Sequence, residues 1–214
     1  MAPGKVVNGF SQFKRIIDKF RYGLVLHVIR NKLAKIGIEF SPYYWFHSRF
    51  VDLEKPDLKG INSEYTVELL DARNMKLISE NARGYSESDF LNRLDAGNLC
   101  FGLKHNDNIF AFTWIMTKEC IYEPRRFQLN EHEGYLTDTY VMEEYRGRNL
   151  APFLVYKSYE ILYNMGRIEI YSATEFFNTS AMKYKMKLNM RKSELVLFIC
   201  LFNKLKWSFK LRSY

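Results

Sequence analysis

The sequence of 214 residues has little of what marks several protein classes. Its three cysteines, Cys100, Cys120 and Cys200, are odd in number and far apart, which excludes a disulfide framework and a C-x-x-C metal site. They suit a reducing compartment, so a cytoplasmic location is expected. Five prolines and eleven glycines exclude collagen-like repeats and Pro/Gly-rich disorder. Uncharged runs such as Phe40–Ser48 and Leu195–Asn203 are nine residues long, whereas a membrane span needs roughly 20 apolar residues. Lys14, Arg15, Asp18, Lys19 and Arg21 interrupt the start of the chain, so no secretory leader fits. The four histidines, His27, His47, His105 and His132, do not cluster at ligand spacing, and no metal is expected. Internal repeats and low-complexity stretches are missing as well.

What is there suits one well-packed domain. Hydrophobic residues make up 47% and aromatics 16%, enough for a substantial core. The net charge of +8 is unevenly spread. Residues 1–40 carry eight Lys or Arg against two acids, residues 183–214 nine against one, and the stretch between them fifteen against twenty-one. Basic ends around an acidic centre point to an anionic partner. In residues 1–40, Phe10, Phe13, Ile16, Ile17 and Phe20 recur at helical spacing with cations between them, and Leu24, Val28, Ile29, Leu33 and Ile36 resume the pattern. This predicts a basic amphipathic helical extension. It either packs on the domain or lies on an anionic membrane surface. Nucleic acid is not favoured, since no known RNA-binding aromatic motif is present. Residues 41–64 read as an aromatic segment, Tyr43–Phe46, acting as core or lid, followed by a linker. Residues 65–214 read as the main domain.

Within that domain the pattern alternates. Strands are predicted at Tyr65–Ala72, Leu99–Lys104, Ile109–Met116, Tyr135–Met142, Arg167–Ser172, Glu194–Phe202 and Leu205–Leu211. Asn106-Asp107-Asn108 is the turn of a hairpin, and Lys118–Gly134 a polar loop. Helices are predicted at Ser86–Leu94, with Ser86 and Asp89 as a capping box, at Ala151–Met165, with Pro152 in its first turn, and at Thr179–Lys187. Hairpins first and β-α-β crossovers later give an α/β (α+β) fold. Its sheet is mixed, mostly antiparallel and six- to seven-stranded, flanked by helices, with an N-terminal helical extension.

The chemistry concentrates between Tyr135 and Asn189. A strand ending in Tyr140-Val141 runs through a short turn, Arg146-Gly147-Arg148-Asn149, into a helix starting Leu150-Ala151. The first N–H groups of a helix lack intrahelical partners and sit at the positive end of its dipole. Arg146 and Arg148 add charge, while Gly147 and Ala151 keep bulk low. These features predict a phosphate or pyrophosphate ligand.

Here the chain resembles the GNAT N-acetyltransferase superfamily, which places Arg/Gln-x-x-Gly-x-Gly/Ala at this turn to hold the pyrophosphate of acetyl-CoA. Arg146 and Ala151 match, and Asn149 replaces the central Gly. Asn178, Ala181 and Tyr184 resemble the family's Asn, small residue and Tyr beyond the next strand, and Lys187-Leu188-Asn189-Met190 its Lys-Leu-Gly-Phe. The resemblance covers residues 65–212. It implies acetyl-CoA as co-substrate, held by Tyr140, Val141, Arg146, Gly147, Arg148, Asn149, Leu150, Ala151 and Asn178. It also implies a small-molecule amine acceptor, with Tyr184 protonating the departing thiolate. Asn178 reads equally as a helix cap. Backbone N–H groups of the strand ending at Val141 are expected to polarise the thioester carbonyl. Asp138, in mid-strand, is the first candidate base and Glu133, at the strand's mouth, the second. A cysteine nucleophile is not expected. The basic leader resembles those of family members acting on amino sugars or surface-glycan precursors. Two rivals stay open. One is a non-catalytic CoA-binding or membrane-associated interaction protein of the same fold, motivated by Asn149 and Asn189-Met190. The other is an RNA-directed acetyltransferase, motivated by the basic C-terminal region. The oligomeric state is left open.

Overall fold

The computed structural model describes residues 32–56, 65–82, 84–105 and 108–214. Most of the expected N-terminal extension, most of the linker, and Asn106 and Asp107 of the hairpin turn lie outside them. Among the described residues ten strands and four α-helices follow in chain order. They are β1 (Ile38–Ser48), β2 (Thr66–Leu70), α1 (Ala72–Asn81), α2 (Glu87–Asp95), β3 (Leu99–His105), β4 (Asn108–Met116), β5 (Glu119–Tyr122), β6 (Arg125–Gln128), β7 (Glu133–Val141), α3 (Leu150–Asn164), β8 (Glu169–Glu175), α4 (Thr179–Lys187), β9 (Lys192–Leu201) and β10 (Leu205–Ser213). Eight strands form one sheet in the order β10-β9-β1-β8-β7-β4-β3-β2, and β5 and β6 form a separate hairpin. Among the described residues β7 and β8 are the one parallel pair.

The sheet is mostly antiparallel and mixed, as the pattern predicts, with one strand beyond the upper expected count. The extra strand is β1. It begins before residue 41 and covers the segment expected to be core or lid, pairing with both β8 and β9 in mid-sheet. Tyr43 and Phe46 are fully buried there. Its apolar residues fall on both faces, Tyr43 and Trp45 toward the β5–β6 hairpin and Phe46 toward α3. Two further differences are local. The stretch expected to be a strand through Ala72 ends at Leu70, and α1 follows it. Asp71 caps α1, accepting from the N–H of Arg73, while the Asn74 side chain accepts from the Asp71 N–H. Only Met75 and Ile78 are buried in α1, too narrow a stripe to read as helical periodicity. The expected polar loop Lys118–Gly134 contains the β5–β6 hairpin, whose strands are four residues each. The Ser86–Asp89 capping box of α2 forms as expected.

Three apolar clusters order the layers. α3 supplies Leu150, Phe153, Leu154, Val155, Tyr159 and Leu162 against one face of the sheet. On the opposite face, α1 and α2 cover Leu70, Phe112 and Trp114, and the hairpin covers Tyr43, Trp45, Tyr135, Val196 and Phe198. No described helix is long and apolar enough to cross a membrane.

Candidate active site

The site is built where β7 departs from regular pairing on both edges. Against β4, Thr113 faces Thr139 and Ile115 faces Leu136, so β7 carries one extra residue in a bulge at Thr137–Asp138. Against β8, the pairing runs from Glu133↔Glu169 to Leu136↔Ser172 and then stops, while β8 goes on with β1 as far as Glu175. Beyond Leu136 the two parallel strands part. The Met142 N–H donates to the Phe110 carbonyl, which fixes the alternation of the ladder: Tyr140 bonds to β4, and the N–H groups of Thr139 and Val141 point to the opened edge. A cleft of about 1070 Å³ fills the gap, lined by β7, the following loop and α4.

The loop after β7 is shaped for an anion. Gly147 has φ +83°, and a Cβ placed there would meet nothing within 4 Å, so the backbone is open to an approaching group. Asn149, in the place of the family's glycine, adopts φ 60° and ψ 24°, a left-handed conformation that Asn tolerates. As the N-cap residue of α3 it makes no side-chain cap; its Oδ1 accepts from Lys187 Nζ of α4 instead. The N–H groups of Leu150 and Ala151 are therefore left for a ligand, Pro152 having none. Arg146 folds back: its Nε donates to the Val141 carbonyl at 3.1 Å, and its guanidinium stacks over Tyr140. It lines the cleft. Arg148 stacks over Tyr145 and is not among the lining residues. Lys183 and Lys187, four apart on one face of α4, line it as well. Sequence reading left them unassigned, although that i, i+4 spacing beside Asn178 was available as a signal.

Asn178 caps α4, its Oδ1 accepting from the Ala181 N–H at 3.0 Å, and it also borders the cleft. Tyr184 is half-buried in the wall, with its hydroxyl in hydrogen-bond contact with Thr139. Thr139 in turn shares a 2.9 Å hydrogen bond with Thr113. Burial pushes the Tyr184 phenol up to about 12, and the Thr139 hydrogen bond offsets part of that rise. At neutral pH Tyr184 keeps its proton, as a proton donor must.

Behind Tyr184 lies a residue that sequence reasoning missed. Lys185 is 1% exposed. Its Nζ donates to Ser172 Oγ at 2.8 Å and to the Ala173 carbonyl at 3.3 Å, and lies 4.4 Å from the centre of the Phe46 ring. Burial lowers its pKa to about 7. Ser172 ends the β7–β8 ladder, so Lys185 ties α4 to the fork where the strands part.

The candidate bases are elsewhere. Asp138 sits in the bulge and takes a 2.5 Å ion pair from Arg93 of α2. Tyr85 lies beside it, and Arg93 stacks over both Tyr85 and Trp114. Asp138 thus belongs to the α1–α2 side of the sheet, across β7 from Tyr184. Tyr140 shares that side, stacked on Phe112, its buried hydroxyl lacking a hydrogen-bond partner among the described residues. Glu133 starts β7, eight residues from Val141 or about 26 Å along a strand. It accepts from the Tyr171 hydroxyl and the Asn130 N–H. The structure does not bring Glu133 to the cleft: its place at the strand's mouth is the end remote from the phosphate loop. Burial raises the thiols of Cys100 and Cys120, the latter to about 12, as suits structural cysteines.

Comparison with known proteins agrees with this geometry. Residues 61–189 match the Acetyltransferase (GNAT) family. No curated protein matches the chain. Among solved structures, the GCN5-related N-acetyltransferase from Sphaerobacter thermophilus is 15% identical with a TM-score of 0.53, over 85% of this chain and 56% of that one. The GNAT-family acetyltransferase from Colwellia psychrerythraea is 13% identical with a TM-score of 0.56, over 77% and 57%. A GCN5-related glucosamine N-acetyltransferase region of a fungal multi-domain GH3 β-N-acetylglucosaminidase is 12% identical with a TM-score of 0.57, over 82% of this chain and 23% of that one. The chain thus spans less than two thirds of the length of each of these three proteins, and at such identities the likeness is one of fold. With the family match over most of the sheet, the parted β7 and β8 and the loop at Gly147, the chain belongs to the GNAT acetyltransferase family.

Proposed function

We propose that the protein transfers an acetyl group from acetyl-CoA to a primary amine. One observation carries this reading: β7 and β8 part beside an uncapped helix N-terminus, leaving the N–H groups of Thr139 and Val141 free along the opening. The residues present suit acetyl-CoA. The loop Arg146–Asn149, the first turn of α3, Lys183 and Lys187 would hold its phosphates. Asn178 and the edge of β7 would flank the pantetheine arm, and the thioester supplies the acetyl group.

The residues then divide the proton work. The edge N–H groups of β7 stabilise charge on the carbonyl oxygen. The amine nitrogen forms a bond to the carbonyl carbon, the C–S bond breaks, Tyr184 delivers a proton to sulfur, and the proton that the nitrogen sheds in becoming an amide restores the Tyr184 phenol. Asp138, on the other side of β7, takes the proton that the ammonium must lose before it attacks. Glu133 has no part. An amino sugar is the first acceptor class to try, supported by the likeness in fold to the fungal glucosamine N-acetyltransferase region and by the basic leader.

The test is calorimetric titration with acetyl-CoA, followed by thiol release with amino-sugar acceptors. Micromolar binding that is lost in Arg146→Glu, together with turnover, supports the proposal. Binding without turnover across amine acceptors favours a CoA-binding interaction protein. No binding at millimolar ligand overturns the reading at its first step.

A further inference from the structure

The sheet has one apolar face that the described elements leave open. Register places Phe40, Ile199 and Trp207 in one row across β1, β9 and β10, and Pro42, Leu197 and Phe209 in the next. Side chains directly opposite in a ladder share a face, so these rows lie on the side that holds α3. There α3 packs over β2, β3, β4 and β7, and α4 packs on α3. Trp207 is 43% and Phe209 48% exposed. The opposite face of the same strands is covered by the β5–β6 hairpin. Sheets bury an apolar face against a second layer, and a patch of this kind marks an interaction surface.

Three occupants are conceivable, and charge and the path of the chain separate them. A second copy pairing along the β10 edge would set the cations Lys206, Lys210 and Arg212 against their own equivalents, which is unfavourable across strands. An anionic membrane would need cations ringing the apolar face. Lys192 and Arg212 lie at one end of it only, over Tyr44 and Tyr214, while Lys206 and Lys210 project to the other side, where they pair with Glu123 and Glu194.

The third occupant is the chain itself. The described residues begin with a helical turn at 32–35, and the chain then passes Gly37, whose carbonyl accepts from the Phe202 N–H at the β9–β10 turn. The first described residue, 32, is thus five residues before a contact at the β9–β10 turn, one end of the open face. Within them Phe10, Phe13, Ile17, Phe20 and Leu24 recur at helical spacing, with Lys14, Arg15, Lys19 and Arg21 in between. As a helix, residues 10–31 would run about 33 Å, close to the roughly 30 Å of a nine-residue strand. We infer that residues 10–31 of this chain pack their apolar stripe on the open β1–β9–β10 face, keeping their cations in solvent.

The test uses the full chain. Trp45 and Trp114 are 4% and 0% exposed, so Trp207 is the tryptophan that acrylamide can reach. The inference expects weak quenching, raised severalfold in the variant Phe13→Asp/Ile17→Asp with an unchanged circular dichroism spectrum. A Trp207→Phe control should show no such rise. Should that variant unfold, Ile17→Cys/Phe209→Cys decides the matter, since the native cysteines are all buried. Oxidation should close an intrachain disulfide at monomer mass. Strong quenching in the unaltered chain, or no disulfide, overturns the inference. A disulfide-linked dimer overturns it in favour of a second copy. So does binding to phosphatidylserine vesicles that shields a Trp207 exposed without them, in favour of a membrane.

Discussion

The two sides of β7 handle charge in opposite ways. Toward α3 and α4 the working groups are uncharged or part of the backbone: the N–H groups of Thr139 and Val141, and the Tyr184 phenol. Toward α1 and α2 they form a charged pair, Asp138 with Arg93, among the rings of Tyr85, Tyr140 and Trp114. The difference follows from the bulge at Thr137–Asp138 and the parting of β8. A strand with one partner missing exposes its backbone on that edge, and a thioester needs only backbone donors and one neutral acid. A cationic amine needs a carboxylate. On the proposed function, one strand thereby separates the acyl donor's approach from the acceptor's.

Breaking the uncharged side should have the largest effect. Tyr184→Phe removes the proton for the leaving thiolate and keeps the ring. On the proposed function, kcat should fall by about 10²–10⁴, the usual range for a lost general acid. The acetyl-CoA dissociation constant from calorimetry should stay within a few fold. An unaltered kcat would assign the proton to another group. Breaking the charged side should act differently. Asp138→Asn keeps the shape and leaves Arg93 without its anion. kcat/KM for the amine should fall about 100-fold, while acetyl-CoA titrates as before. Equal losses in donor and acceptor binding would show that the two sides are not independent.

Much of the uncharged side was legible, because its signals are local. The turn Arg146–Asn149 and the start of α3 are contiguous in sequence, and α4 runs from Thr179 to Lys187 as its pattern predicts. Asn149 takes a left-handed conformation, one that Asn tolerates better than most residues. The charged side depends on contacts distant in sequence. Arg93 and Asp138 are 45 residues apart, and nothing in either neighbourhood names the other. Glu133 looked well placed only because a strand does not announce which of its ends opens into a cleft. β1 escaped for a different reason. An interior strand covered on both faces has no period-2 alternation, so Tyr43–Phe46 read as an aromatic cluster.

The fork itself can be probed through Lys185, whose burial is a pH-dependent cost. In the unfolded chain a lysine titrates near 10.5, and in the fold near 7. Between these values the unfolded chain holds a proton that the folded chain lacks. Stability should therefore rise with pH there, by up to about 1.4 kcal/mol per pH unit. The gain is complete above 10.5 and gone below about 7, where the folded state carries the buried charge. Lys185→Met should flatten this dependence in urea unfolding curves, stabilising the fold most at the acid end. A variant with the same slope as the original chain would show that another group sets it.

The smallest effect belongs to the loop. Asn149→Gly restores the family's residue. It relieves a left-handed φ of 60°, but frees Lys187 Nζ from the amide oxygen that holds it. The relief is worth on the order of 1 kcal/mol at most, and the lost hydrogen bond at an exposed site about the same in the other direction. The acetyl-CoA dissociation constant should thus move by less than about fivefold. Lys187→Met in the same assay removes a cation from the cleft wall and leaves Asn149 without its donor. It should weaken binding more than Asn149→Gly, and the gap between the two should close as salt rises. If Asn149→Gly tightens binding tenfold or more, the loop is strained in this chain. The uncharged side of β7 would then be less preorganised than its free backbone donors imply.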